Sequence, residues 1–182
     1  MKKWVVLGAV AVFAVLATGS VAQAEFGVGV KWTGNGITPN MVLPIKLQSG
    51  LVIEPSVGFV SVSVDAGTTT TLAAVDIDDL MEGTIFNVGV AVEKYMEMDG
   101  ISPFFGADVQ IQIGSPEVGD SWTDFGFGLF LGGAAEITDK VEILGSWGPE
   151  VVLVGERHKD GPTATVIGSR ANFGIRWWLW GQ

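Results

Sequence analysis

The chain contains no cysteine and a single histidine, His158. Without thiols there is no disulfide framework, no thiolate metal site and no cysteine nucleophile. Basic residues are also scarce, with 10 Lys and Arg against 20 Asp and Glu and a formal net charge of −10. No basic stripe exists to meet phosphate, which excludes nucleic acid as a partner. Beyond the first two dozen residues there is no apolar run approaching the roughly 18 residues of a membrane-crossing helix. Yet the composition is 48% hydrophobic, with 26 glycines. Much apolar content without long apolar runs means that apolar and small or polar residues are interleaved.

The one long apolar run lies at the start, in MKKWVVLGAVAVFAVLATGSVAQAEF. Lys2 and Lys3 form a basic head, Trp4 to Thr18 an uncharged core, and Ala22-Gln23-Ala24 a small-residue cleavage site. This pattern predicts a bacterial secretory signal peptide over residues 1–24, cleaved after Ala24. A transmembrane anchor is the alternative, but the run falls short of about 20 residues. Cleavage would remove 24 of the 182 residues, leaving 158 in one domain over residues 25–182. It would also remove Lys2 and Lys3, taking the formal charge from −10 to −12.

The rest of the chain alternates with period two, the signature of strands. In ISPFFGADVQIQIG one face reads Ile101, Pro103, Phe105, Ala107, Val109, Ile111, Ile113. The other reads Ser102, Phe104, Gly106, Asp108, Gln110, Gln112. Eight such strands are predicted: Phe26–Trp32, Val42–Leu47, Ile53–Phe59, Phe86–Glu93, Ile101–Ile113, Phe125–Gly132, Val141–Val154 and Arg170–Leu179. Their connections alternate in length. QSG, MEMDG and TDK are short; TGNGITPN, DAGTTTTLAAVDIDDLMEG, SPEVGDSW and ERHKDGPT are long. Short turns at one end and long loops at the other describe a transmembrane barrel with both termini at the short-turn end.

A soluble lipocalin-like barrel alternates too, with its apolar face inside. The second face decides between them. It carries small residues such as Gly27, Gly29, Gly126, Gly128, Gly132 and Ala134, as a crowded interior would. Its charges are few and mixed in sign: Lys31, Lys46, Arg170 and Arg176 with Glu54, Glu93, Asp108, Glu136, Glu142 and Glu150. The aliphatic faces carry no charge, and Phe26, Trp32, Phe125 and Trp177 at their ends read as interfacial aromatic belts. The glycine and charge face is therefore expected inside, and the aliphatic face in lipid.

The leader, SPFFGADVQ, FGFGLFLGGAAEITDKVEI and the closing NFGIRWWL together resemble the small eight-stranded outer-membrane β-barrel proteins, the OmpA-type transmembrane domain and the OmpX-type barrels. The resemblance spans about Glu25 to Leu179. It implies an all-β, eight-stranded antiparallel up-and-down barrel in the bacterial outer membrane, bordered by lipopolysaccharide. It also implies that the last strand is read by the barrel-insertion machinery. Such chains end on an outward aromatic, whereas here Leu179 holds that phase and Trp180-Gly181-Gln182 run past it. No peptidoglycan-binding portion is expected after the last strand.

The inward charges are the first candidate site. Each needs a partner, because burying an ion costs several kcal/mol, and the expected network joins Arg176 to Glu142 or Glu136. It either packs a closed lumen or gates a narrow ion channel; Phe104, Phe130 and Trp178 point inward and favour the closed form. The acidic stretch VDIDD, with Asp76, Asp78 and Asp79 flanked by Asp65 and Glu82, could bind calcium but lacks the spaced ligands and glycine of an EF-hand loop. A solvated acidic loop is the simpler reading. His158 has Glu156 and Asp160 nearby and Ser169 further on, but no fixed nucleophile–base geometry. No catalytic residue is assigned and no cofactor is implied. The DAGTTTT run is either a flexible loop or a strand-forming tip able to pair with a partner. The expected role is structural or surface interaction, with a narrow channel second, a surface lipid hydrolase third, and a monomer as the expected state.

Overall fold

A computed structural model of the protein describes residues 24–33, 39–62, 83–96, 98, 100–116, 121–155 and 164–180. The predicted leader, apart from Ala24, lies outside the described residues. So do Asp76, Asp78, Asp79, His158 and the threonine run.

Among the described residues nine strands form one sheet: β1 (Glu25–Thr33), β2 (Pro39–Val42), β3 (Ile45–Lys46), β4 (Leu51–Val62), β5 (Gly83–Tyr95), β6 (Ile101–Pro116), β7 (Trp122–Thr138), β8 (Val141–Val154) and β9 (Ala164–Trp180). β2 and β3 both lie between β1 and β4, so together they make a single stave. The expected continuous strand from Val42 to Leu47 is thus broken at Leu43-Pro44. Proline has no N–H to give to a ladder. The break is bridged by Gly27 N–H donating to Pro44 O at 2.9 Å and Leu43 N–H donating to Pro55 O at 3.0 Å. β9 returns to β1, from Phe26 opposite Trp180 to Thr33 opposite Asn172. Every pairing is antiparallel and the sheet closes, giving the eight-stave barrel that the alternation predicts.

The stagger of the barrel follows from the registers. The ladder from Gly29 runs through Val42, Ser56, Gly89, Gln110, Gly126 and Val152 to Val166. The register of β9 on β1 then returns it ten residues beyond its start. At ~3.3 Å per residue and ~4.8 Å between strands, eight staves with this shear tilt by about 40° and enclose a wall of about 8 Å radius. That interior has room for side chains and little else.

The turn end is tight. Gly50 takes φ 70° to close the β3–β4 turn, and Thr138 Oγ1 accepts from the N–H groups of Lys140 and Val141 at 3.2 and 3.1 Å. At the loop end the described β1–β2 pairing runs to Trp32 opposite Pro39, and Ala164–Ala171 of β9 pair with β8.

Apolar residues line the outside. Leu131 is 70% exposed and Ile167 78%, with Trp147, Leu129, Phe127 and Phe105 exposed beside them. An apolar surface that encircles the molecule needs lipid rather than water. Along β6, Ile101 to Ile113 at the derived tilt covers about 30 Å, the thickness of a bilayer core.

Candidate functional site: the lumen

Alternation sends the polar and charged residues inward, and the shear decides which of them meet. Arg176 of β9 is 0% exposed, at the centre of the lower lumen. Its Nε donates to Glu54 Oε2 at 2.6 Å, its Nη2 to Glu93 Oε2 at 2.7 Å, and its Nη1 to the Tyr95 hydroxyl at 2.5 Å. Glu142 Oε1 stands 3.6 Å from Nη1 and accepts from Tyr95 OH at 2.7 Å. Trp178 Nε1 donates to the other Glu142 oxygen at 3.1 Å. Lys31 Nζ closes the ring, 2.7 Å from Glu54 Oε1 and 3.4 Å from Glu93 Oε1. Side chains from three other strands, β4, β5 and β8, thus meet one guanidinium, whose planar fork can serve several acceptors together.

Beside this ionic half lies an apolar one. Phe104, Phe130, Leu144, Ala91 and Ala134 form the buried core, with Tyr95 packed against it. The Tyr95 and Phe104 rings stack at 5.0 Å, Phe104 meets Phe130 edge-on at 6.2 Å, and Lys31 Nζ lies 5.6 Å from the Phe130 centroid. The rings lie over cross-strand glycines: Phe104 opposite Gly132, and Phe130 opposite Gly106. A Cβ on either glycine would fall inside the facing ring. The two halves together fill the lower lumen.

A second ionic group sits higher. Arg170 donates to Asp108 Oδ2 and, at 2.7 Å, to Glu150 Oε1. Asn172 and Ser146 pair at 3.2 Å, Asn87 and Asn40 at 3.3 Å, and Asp124 Oδ1 accepts from Gly155 N–H at 2.9 Å.

Of the residues singled out in the sequence, Lys31, Glu54, Glu93, Glu142 and Arg176 meet in the lower group, and Asp108, Glu150 and Arg170 in the upper. Lys46 is instead at the turn-end rim, 3.6 Å from Glu25 with both side chains more than a third exposed, and 5.7 Å from the Trp178 ring. Glu136 is exposed at the same rim and makes no ion pair among the described residues. Of the two partners expected for Arg176, Glu142 stands 3.6 Å away and Glu136 does not reach it, while Glu54 and Glu93 accept the closer hydrogen bonds. Glu136 sits beside a register shift at the end of β7, where the wall opens to solvent. Phe26 and Phe125 are half-buried on the outer wall, and Trp32 and Trp177 exposed there. Trp32 is paired with Phe173, near the midpoint of β9, with the two rings 6.2 Å apart. Tyr95 was not singled out, although it shares the inward phase of Asn87, Ala91 and Glu93. Exposed ion pairs contribute little, so Lys46→Ala should shift the unfolding free energy by less than about 1 kcal/mol in a urea titration.

Among the described residues no three acidic or histidine side chains converge closely enough to hold a metal by themselves. The chain has the fold of an outer-membrane β-barrel. It is similar to the crystal structure of Neisserial surface protein A, with a TM-score of 0.55 and 13% identity over 86% of this chain and 95% of that one. A major outer membrane protein from Thermus thermophilus aligns at TM-score 0.49 and 15% identity, over 86% of this chain and 99% of that one. No family model matches the sequence, and no curated protein does.

Proposed function

We propose that the protein is an integral barrel of a bacterial outer membrane with a closed lumen. Its role is structural and surface-directed: the barrel anchors the chain in lipid and presents the acidic loop-end segments to lipopolysaccharide and to partners outside the cell. The observation that carries this reading is the lower plug. Arg176 is fully buried among Glu54, Glu93, Glu142 and Tyr95, and Phe104 and Phe130 fill the space beside it. An open pore of this radius would need that cross-section free. The apolar exterior supports placement in lipid, and Neisserial surface protein A, similar in fold, is named as a surface protein. Catalysis finds no support in the lumen, where every carboxylate of the lower group is committed to a cation, to Tyr95 or to Trp178.

Two measurements test the reading. The folded chain should migrate differently from the boiled chain on an SDS gel, as closed barrels do, and should give no conductance steps in a planar bilayer. Reproducible steps that change in an Arg176 variant would replace the closed barrel with a narrow channel.

A further inference from the structure

Two inward-phase charges, Lys46 and Glu136, take no part in either ionic group of the lumen. Both end at the turn-end mouth. Among the described residues Lys46 has only the exposed Glu25 within ion-pair distance, and Glu136 has no ion pair. Each points into the mouth: Lys46 is opposite the buried Val52, and Glu136 opposite the buried Glu142. β3 and β7 stand four staves apart in a ring of eight, so the two side chains face each other across it. At a wall radius of about 8 Å the mouth is about 16 Å wide, and side chains reaching in from both sides leave a gap of less than about 10 Å. That gap belongs to a cavity of about 680 Å³, a size common in small-molecule sites. Tyr95, at the lower edge of the plug, closes its inner end. Lys94 lines it too, and its Nζ donates to Ser49 O, holding the β3–β4 turn against β5. Met96 and Met98, 45% and 64% exposed, give it a flexible apolar side.

An ammonium on one wall, a carboxylate on the opposite wall and thioethers between them match a molecule of the reverse polarity. It carries a carboxylate at one end, an ammonium at the other and a small apolar body. Two residues of extended chain span about 7 Å, which suits the gap. We propose that the turn-end mouth binds a dipeptide-sized zwitterion, with its carboxylate on Lys46, its ammonium on Glu136 and its side chains against Met96 and Met98. In an outer membrane the short-turn end faces the periplasm, so the ligand comes from there. Lys46 keeps donors to spare beside Glu25, because an ammonium has three. Both charges are exposed, so the affinity is of millimolar order. The inner end of the site is the plug, so this inference rests on the closed-barrel reading.

The test titrates the full folded chain, isotope-labelled in detergent micelles, with alanyl-alanine and follows its amide resonances. Those of Gly50, Lys94 and Ser102 should shift saturably at millimolar dipeptide. Acetylating the dipeptide removes its ammonium and amidating it removes its carboxylate; each should weaken binding about fivefold. Glu136→Gln should bring the free dipeptide down to the level of the acetylated one and leave the acetylated one unchanged. Lys46→Ala should do the same for the amidated one. Folded wild type that gives no saturable shift at tens of millimolar dipeptide would overturn the site alone. So would binding indifferent to acetylation or to Glu136→Gln. A wild-type sample without heat-modifiable gel mobility would overturn the closed barrel, and the site with it.

Discussion

Replacing Arg176 with methionine should cost the barrel about 3–5 kcal/mol, the range seen when one partner of a buried ionic group is removed. Methionine keeps much of the side-chain volume, so little of the loss is a packing loss. What remains is Glu54, Glu93 and Glu142 buried in the lumen, with Lys31 as the cation still paired with two of them among the described residues. Lys31 reaches Glu54 and Glu93, and Glu142 keeps only the Tyr95 and Trp178 donors. Arg176→Lys should fall between, since one ammonium cannot serve Glu54, Glu93 and Tyr95 with the geometry of a fork. Adding Glu93→Gln to Arg176→Met should recover part of the loss, because it removes one of the stranded charges. Urea titration in micelles, followed by tryptophan fluorescence, measures all of these. An unchanged midpoint for Arg176→Met would mean that the charges are solvated and the plug is not dry.

The fold was legible because two independent signals agree: period-two faces, and turns that alternate between short and long. The inward and outward faces were legible because glycines and charges share one of them. Heights were not. Depth counted from a strand's own end ignores the shear, and each step round the barrel lifts the register by about 3 Å. Glu54 and Glu93 do fall near the same end of their strands as Arg176, but their direct contact with it follows from the registers, as does the pairing of Trp32 with Phe173. Some boundaries were hidden for a different reason. β9 starts at Ala164, not at Arg170, because Ala164–Ser169 are exposed on both faces and so show no alternation. Pro44 broke the second stave where the hydrophobic pattern ran straight through. Tyr95 lay two residues beyond the predicted end of its strand at Glu93, in the same inward phase.

Phe104→Ala should be comparably severe, about 3–5 kcal/mol, as for other large aromatic truncations in a core. In a closed barrel whose described outer face is apolar and exposed, the lumen is where side chains from different staves pack together. Phe104 is 1% exposed there and touches both halves of the plug, stacking on Tyr95 and meeting Phe130 edge-on. The site cannot collapse to fill the void, because the closed hydrogen-bonded wall fixes the distance between staves. Gly132 opposite has no side chain to move in, and a Cβ there would also press on the Gly145 carbonyl. The loss should therefore include most of the cavity penalty. Phe104→Leu should lose less, since it keeps the apolar contact with Phe130 while giving up the Tyr95 stack. The ring also holds Tyr95, whose hydroxyl bridges Arg176 and Glu142. Phe104→Ala and Arg176→Met should consequently be non-additive in the urea titration, with the double variant less unstable than the sum of the two. Strict additivity would show that the aromatic and ionic halves are separate structures that merely share a lumen.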